Sequence, residues 1–299
     1  MGKCGFISVI GRTNVGKSSF VNSVIGKKIS IVTNKAQTTR DKILGIYNDQ
    51  DSQLIFIDTP GVHSHKENNE LSKFMNKTAL NSVRDVECIL MLAPANETIG
   101  TNDELILEKV KNTKVPLILL ITKADLVGKK EIEEKIAEWK TKFDKFNKII
   151  PISIKSFESI NFVIATIKQI LPNLDYNFFD KDAFTDKDEY FMAKEIIREQ
   201  ILLRTGQEIP HSSAIRIDSF KEEKNIIRIA TTIFCERESQ KPIIIGKGGA
   251  KLKEIATHSR QELEAFFGKK IFIEFFVKVS RDWRKIRNEV KLLGYIDKD

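Results

Sequence analysis

Gly11-Arg12-Thr13-Asn14-Val15-Gly16-Lys17-Ser18 sets two glycines, a lysine and a hydroxyl at the spacing that wraps phosphate. Glycines let the backbone turn tightly enough for its N–H groups to face inward on an anion. An apolar run at residues 4–10 precedes the loop, and a helix-like pattern begins around Ser18 and Ser19. The loop therefore joins a strand to a helix N-terminus, whose partial positive charge favours phosphate. In that setting Lys17 reaches the β- and γ-phosphates, and the Ser18 hydroxyl is a ligand for Mg2+. The bland alternative is a plain glycine turn, which needs neither a strand before it nor a helix after it.

Three further segments select the base. "LIFIDTPG" ends an apolar run at Asp58-Thr59-Pro60-Gly61. There Asp58 reaches Mg2+ through water, and Gly61 leaves an N–H for a γ-phosphate. "LLITKAD" places Thr122, Lys123 and Asp125 after another run. An Asp carboxylate accepts two parallel hydrogen bonds from guanine N1–H and the 2-amino group, a donor pair that adenine lacks. Lys123 lies along the base. "ISIKS", after the next run, brings Ser153, Ile154 and Lys155, and the backbone N–H groups of the last two suit guanine O6. "TKAD" alone would also suit a solvated loop. In this order, each at a strand's C-terminal end, the motifs imply a guanine-nucleotide site.

A second glycine loop, Gly246-Lys247-Gly248-Gly249, follows an apolar run and opens a helix-like pattern. It lacks the spacing for a nucleotide but matches the GXXG clamp that holds several backbone nucleotides of single-stranded RNA. A Cβ there would keep phosphates from the backbone N–H groups. Lys247 adds charge, Lys251 lies one helical turn on, and Ile244 with Ile245 would floor the bases. A glycine helix entry beside a solvated basic face is the alternative.

These loops need elements to hold them. Over residues 4–170 short apolar runs alternate with amphipathic segments at 71–83, 102–111, 130–143 and 159–171. That alternation predicts an α/β domain, a mostly parallel sheet with helices on both faces. "KILGIYND", close before "SQLIFID", reads as a hairpin, which makes one antiparallel edge strand. "LPNLDYNFFDKDAFTDKDE", with its Pro, Asn and Asp, breaks the pattern, and 173–189 reads as an acidic linker. It separates a domain at 1–172 from one at 190–299. The second domain is α+β: a helix at 190–204, two β-rich runs, the glycine loop, a helix to 267, a strand at 269–279 and a basic helix at 282–293.

With 299 residues the chain has room for about two cores. Hydrophobic content of 41% and charged content of 30% exclude a disordered chain. The apolar run at 115–121 is too short to cross a bilayer. Phe6 stands where a myristoylation signal has Ser or Thr, and no secretory h-region is visible. Cys4, Cys88 and Cys235 are scattered and odd in number, so buried free thiols are expected. The +8 net charge is uneven: residues 241–291 hold thirteen Lys/Arg against six Asp/Glu. Residues 173–189 reverse the balance, with six acids against two lysines. A polyanion partner fits the basic region, and so would a solvated basic face.

At this point the chain resembles translation-factor-type GTPases and, more closely, the Era family of bacterial GTPases of small-ribosomal-subunit assembly. "KAQTTRDKILGI", "DTPGVH" and "FMAKEIIREQ…GQEIPHS" carry the likeness, which runs from Gly5 to Tyr295. The GTPase motifs are widely shared; their union with this C-terminal domain is specific. The resemblance implies a P-loop GTPase domain followed by a type II KH domain, GTP hydrolysis, and Mg2+ as cofactor. It implies small-subunit ribosomal RNA near its 3′ end and the 30S-type subunit as partners, a monomer, and a cytoplasmic location with peripheral contact at the inner membrane left open. Thr39, rather than Thr38, is implied as the switch hydroxyl on Mg2+. Asn14 looks like the K+-ligating Asn of potassium-stimulated GTPases, a cation there standing where an arginine finger stands elsewhere. A loop Asn that braces the first switch would look the same.

The chain also departs from the family. Thr13 replaces a usual Pro, Ile154 a usual Ala, and Thr122 a usual Asn whose amide braces the phosphate loop. Val62 stands where Ras-like enzymes orient water with Gln, and it has no polar atom for that task. His63 beside it reads as a surface residue, so no general base is assigned. Three other readings remain open. A plain nucleotide hydrolase or ATPase conflicts with Lys123 and Asp125 and leaves the basic domain without work. A membrane-surface GTPase draws on the basic, Trp283-bearing C-terminal segment. A passive RNA-binding module would hold GTP only as a structural ligand.

Overall fold

The computed structural model describes residues 2–35, 37–62, 69–206 and 208–295. They fall into two compact units, the first drawn from 2–30, 39–62 and 75–186, the second from 31–35, 37–38, 69–74, 187–206 and 208–295. The first begins with β1 (Gly2–Ile10), α1 (Lys17–Ile25), β2 (Ile43–Asn48) and β3 (Ser52–Asp58). Next come α2 (Glu70–Asn81), of which residues 75–81 belong to this unit, β4 (Cys88–Pro94), α3 (Thr101–Val110) and β5 (Leu117–Thr122). After these follow α4 (Lys129–Lys142), β6 (Lys148–Pro151), α5 (Phe157–Ile170) and β7 (Asn173–Leu174).

The strands form one sheet in the order β2-β3-β1-β4-β5-β6. The path is parallel from β3 to β6; β2 is the expected antiparallel edge. The short β7 adds a second antiparallel pairing, at the start of β1. Every residue of β3, β4 and β5 is buried, which is why these strands read as unbroken apolar runs rather than alternations. Strand order reverses at β1, flanked by β3 and β4, and the crevice beyond the C-terminal ends at such a switch point is where α/β sheets take ligands.

The acidic stretch is not a free spacer through Asp186. Backbone N–H groups of Phe178 and Phe179 donate to Gln53 Oε1 at 2.8 and 3.0 Å, and Gln53 Nε2 donates to the Phe179 carbonyl at 2.9 Å. Ile46 N–H meets the Phe184 carbonyl at 3.0 Å, and Leu44 N–H meets Asp186 Oδ1 at 2.8 Å. The segment thereby occupies the open hydrogen-bonding edge of β2, which would otherwise invite another strand.

The second unit contains α6 (Glu189–Arg204), α7 (Ile209–Ser212), β8 (Ala214–Glu222), β9 (Ile226–Cys235), α8 (Gln240–Ile245), α9 (Ala250–Phe267), β10 (Lys270–Val279) and α10 (Arg287–Leu292). Its sheet runs β10-β9-β8, with β9 and β10 parallel and β8 antiparallel to β9. Ile227, Ile229 and Ile233 of β9 face Ile196, Ile197 and Ile201 of α6 and Ile255 and Leu263 of α9 in one core. Asp188 caps α6 by accepting from Phe191 N–H at 2.7 Å. The expected final helix is broken: a 3-10 turn at Trp283–Lys285 precedes α10.

Trp283 is fully buried, donates from Nε1 to the Ser212 carbonyl at 2.8 Å and stacks on Tyr295. Its ring therefore belongs to the core of this unit. Residues 31–38 also belong to the second unit. Within it Val32 N–H donates to Glu199 Oε1 at 3.1 Å, Lys35 Nζ to the Thr205 carbonyl at 3.1 Å, and the buried Arg198 guanidinium to the Thr38 carbonyl. Cys4, Cys88 and Cys235 are free and buried, and burial pushes the Cys88 thiol up to about 12.

Candidate nucleotide and RNA sites

The phosphate loop turns at Gly11 and again at Gly16, where φ of 99° makes the left-handed entry to α1. Asn14 also has positive φ, 60°, which Asn tolerates better than most residues, so the loop has a backbone reason for Asn there beside any ligand role. Lys17 is buried and folds over the loop, donating to the Arg12 carbonyl at 2.8 Å and the Gly11 carbonyl at 3.1 Å. Those carbonyls hold its ammonium at the mouth of the turn whose N–H groups face phosphate.

Burial lowers Lys17 to about 8, with the Asp58 carboxylate opposing that shift. Phosphate binding favours the charged ammonium. Below pH 8 Lys17 already carries its proton and binding takes up none; above it, binding takes up one. GTP affinity should therefore be level below about pH 8 and fall by up to about tenfold per unit above it. Titrations across that range read this directly, and an affinity that stays level well above it would remove Lys17 from the phosphates.

Three oxygens meet beside Lys17. Ser18 Oγ donates to Asp58 Oδ2 at 2.7 Å and lies 2.9 Å from Thr39 Oγ1. Asp58 is fully buried, and its Oδ1 has no hydrogen-bond partner. Burial pushes its carboxyl up, and the Ser18 hydrogen bond pulls it back. Hydroxyl and carboxylate oxygens with one buried acceptor left over are the donor set of a hard cation, so Ser18, Thr39 and Asp58 fit Mg2+. Thr38 turns elsewhere, its hydroxyl donating to the Lys35 carbonyl at 2.7 Å.

After β3, Thr59 Oγ1 donates to the Val9 carbonyl at 2.9 Å and fixes the chain on β1. Pro60 then brings Gly61 against the phosphate loop. A Cβ on Gly61 would stand 2.8 Å from the Thr13 backbone, so only glycine allows that approach. Val62 N–H reaches the Gly11 carbonyl at 3.3 Å while its side chain is buried, leaving it no part in orienting water. His63 lies outside the described residues.

The base-selecting segments converge as well. Thr122 Oγ1 donates to the Val15 carbonyl at 2.7 Å. The brace expected to be lost with Asn is thus supplied by the threonine hydroxyl. Lys123 takes φ of 57° and pairs with Glu97 at 3.1 Å; Glu97 also takes Arg12 at 2.8 Å. Asp125 Oδ2 accepts from Lys155 Nζ at 2.8 Å, a bond that holds its carboxyl below the usual range. Lys155 N–H sits 3.2 Å from Ser153 Oγ, and Ile154 is exposed. Sequence reasoning gave Lys155 only a backbone role and missed Glu97, which lies in a loop after β4 that no motif marks.

In the second unit, α8 ends at Gly246, where a Cβ would stand 2.7 Å from the Lys251 nitrogen, so the loop closes tightly onto α9. Gly248 and Gly249 differ: both have positive φ, 60° and 82°, and nothing within 4 Å of a Cβ. Their outer side is open. Lys247 is exposed, whereas Lys251 is paired with Glu254 at 2.7 Å, so its charge is partly committed. One expectation fails. Ile244 is wholly buried in the core, because successive residues of a helix cannot share a face; Ile245 is half-buried and Ile243 is the exposed one.

A family model described as a 50S ribosome-binding GTPase matches residues 6–123, and a KH domain model matches residues 208–284. Among solved structures, Era in complex with MgGDPNP and nucleotides 1506–1542 of 16S ribosomal RNA is 36% identical, with a TM-score of 0.94 over 99% of both chains. A variant of Aquifex aeolicus Era bound to GDP·AlF4− is also 36% identical, with a TM-score of 0.93 over 98% of this chain and 99% of that one. Likeness at that level spans the phosphate loop, the base-selecting segments and the second glycine loop together: the chain belongs to the Era family.

Proposed function

We propose that the chain is a GTP-driven switch. It binds and hydrolyses GTP in its first unit and holds small-subunit ribosomal RNA, near the 3′ end, through its KH domain during assembly of that subunit. One observation carries this reading: a complete phosphate, Mg2+ and guanine constellation and an open GXXG loop occur in one chain. The relative that holds MgGDPNP and a 16S ribosomal RNA fragment supports the pairing of ligands. A bare nucleotide hydrolase leaves the second loop without a purpose.

Phosphoryl transfer asks a protein mainly to position groups and to neutralise developing charge. Lys17 supplies an ammonium, and the loop N–H groups supply oriented dipoles. Mg2+, when bound, spreads the negative charge between the phosphates. Thr39 supplies the switch hydroxyl beside Ser18, which in turn donates to Asp58. Asn14, on the loop's exposed turn, is the residue we assign to K+.

Turnover assays test the reading. GTP hydrolysis should run faster in K+ than in Na+ at equal ionic strength, and RNA of the small-subunit 3′ end should raise it further. Asn14→Ala should erase the cation difference while leaving nucleotide binding in place. Equal rates in both salts would remove K+ from the site; indifference to RNA would reduce the chain to two unconnected binding modules.

A further inference from the structure

The outward face of the second unit's sheet is unlike a solvated sheet face. Alternation sends Ile271, Ile273 and Phe275 of β10 inward, together with the isoleucines of β9. The opposite set should be polar. Instead it carries Phe272 and Phe276, 44% and 53% exposed. Phe272 lies opposite Arg228, whose guanidinium stands over the ring at 5.3 Å. Phe276 lies opposite Thr232, which pairs in turn with Arg216 on β8. Lys270 and Lys278 continue the same row of β10, with Glu274 as its one acid.

We propose that this face is a second single-stranded RNA surface. On it two bases of the RNA stack on Phe272 and Phe276, and Arg216 and Arg228, which pair with Asp218 at 2.7 Å and Glu223 at 3.0 Å, share their guanidinium groups with the adjoining phosphates. The proposal rests on the RNA reading above and extends it to a site apart from the glycine loop. Ring faces accept any base, and guanidinium planes stack on bases and attract phosphate at once. A protein-docking patch would gather charge at its rim and keep its centre apolar; here Arg228 stands over the Phe272 ring, and Arg216 stands over Phe234 on the same face. Four residues of strand separate the rings by about 13 Å, too far for one stacked base pair of neighbours, so they suit two bases of a splayed strand.

The experiment uses the full chain and two RNAs of the small-subunit 3′ end. One is a single-stranded piece of about four nucleotides, enough for the glycine loop; the other extends it with single-stranded flanks. Leu at both positions keeps apolar area on the strand but removes the ring faces. Phe272→Leu with Phe276→Leu should weaken the extended RNA by about tenfold per ring, leave the short RNA and GTP unchanged, and be rescued by Tyr at both sites. Without any variant, ultraviolet crosslinking of the extended RNA should label the β10 peptide. Unchanged affinity for an extended RNA that the wild type prefers, or no label on β10, overturns the proposal. A loss of self-association in place of RNA affinity also overturns it, since the face would then join copies of the chain. If the wild type binds neither RNA, the RNA reading itself falls.

Discussion

Replacing Asp125 by Asn should weaken GTP by about 10- to 100-fold, the loss of a bidentate base contact, and raise affinity for xanthosine triphosphate. The carboxylate accepts from guanine N1–H and the 2-amino group. Xanthine has a carbonyl in place of that amine, and an Asn amide N–H suits it where a carboxylate repels it. Lys155 sharpens the expectation. Its ammonium holds the Asp125 carboxyl below the usual range, so the group is ionised and purely accepting at neutral pH. Guanine must then share or displace this lysine. Because the Lys155 side chain is 75% exposed, losing the pair should leave folding intact, and any loss of GTP belongs to recognition. Competition between GTP and xanthosine triphosphate at fixed Mg2+ measures it. An unaltered preference for GTP would take Asp125 out of the base site.

The first unit was legible because each motif sits where an apolar run stops. β3, β4 and β5 are buried on both faces, so their sequences are continuous hydrophobic stretches with sharp ends. The loops at those ends are the site. What sequence could not show is how the loops brace one another. Thr122 looked like a lost amide, yet its hydroxyl reaches the Val15 carbonyl, because the requirement there is one donor and not one residue type. Glu97 takes both Arg12 and Lys123 from a loop with no pattern of its own.

Longer-range placement was less legible. Turn-forming residues at 173–189 announced a break in periodicity, but not that Gln53, a polar residue in a buried strand, would bind the segment to the first unit. Residues 31–38 carry no periodic signal, and their hold on Glu199 and Arg198 depends on side chains more than 150 positions away. Ile244 shows the opposite error. It was read from residue type beside positive charge, as a floor for bases. The core claimed it, since a branched apolar chain gains more from full burial than from half-exposure.

Gly248 carries the decisive test of the RNA site, because Gly246 in the same loop answers a different question. A side chain at Gly246 would strike the backbone of Lys251, so a loss of binding there would only report a displaced α9. Gly248 has open space on its Cβ side and φ of 60°, a conformation that Asp adopts more readily than most residues. Gly248→Asp should therefore fold, melt close to the wild type and bind GTP normally, since the nucleotide residues lie in the other unit. Its carboxylate would stand where the clamp brings phosphate to the backbone N–H groups. Both repulsion and the loss of one or two charge-assisted hydrogen bonds act against RNA, about 2–3 kcal/mol together. Lys247→Ala should cost less and lower the salt dependence of binding by about one charge, because it removes a single exposed cation and leaves the clamp's shape intact. Affinity measured at several salt concentrations separates the two: Gly248→Asp shifts the whole line, Lys247→Ala mainly tilts it. A folded Gly248→Asp protein that binds its RNA as the wild type does would show that the loop is only a helix entry.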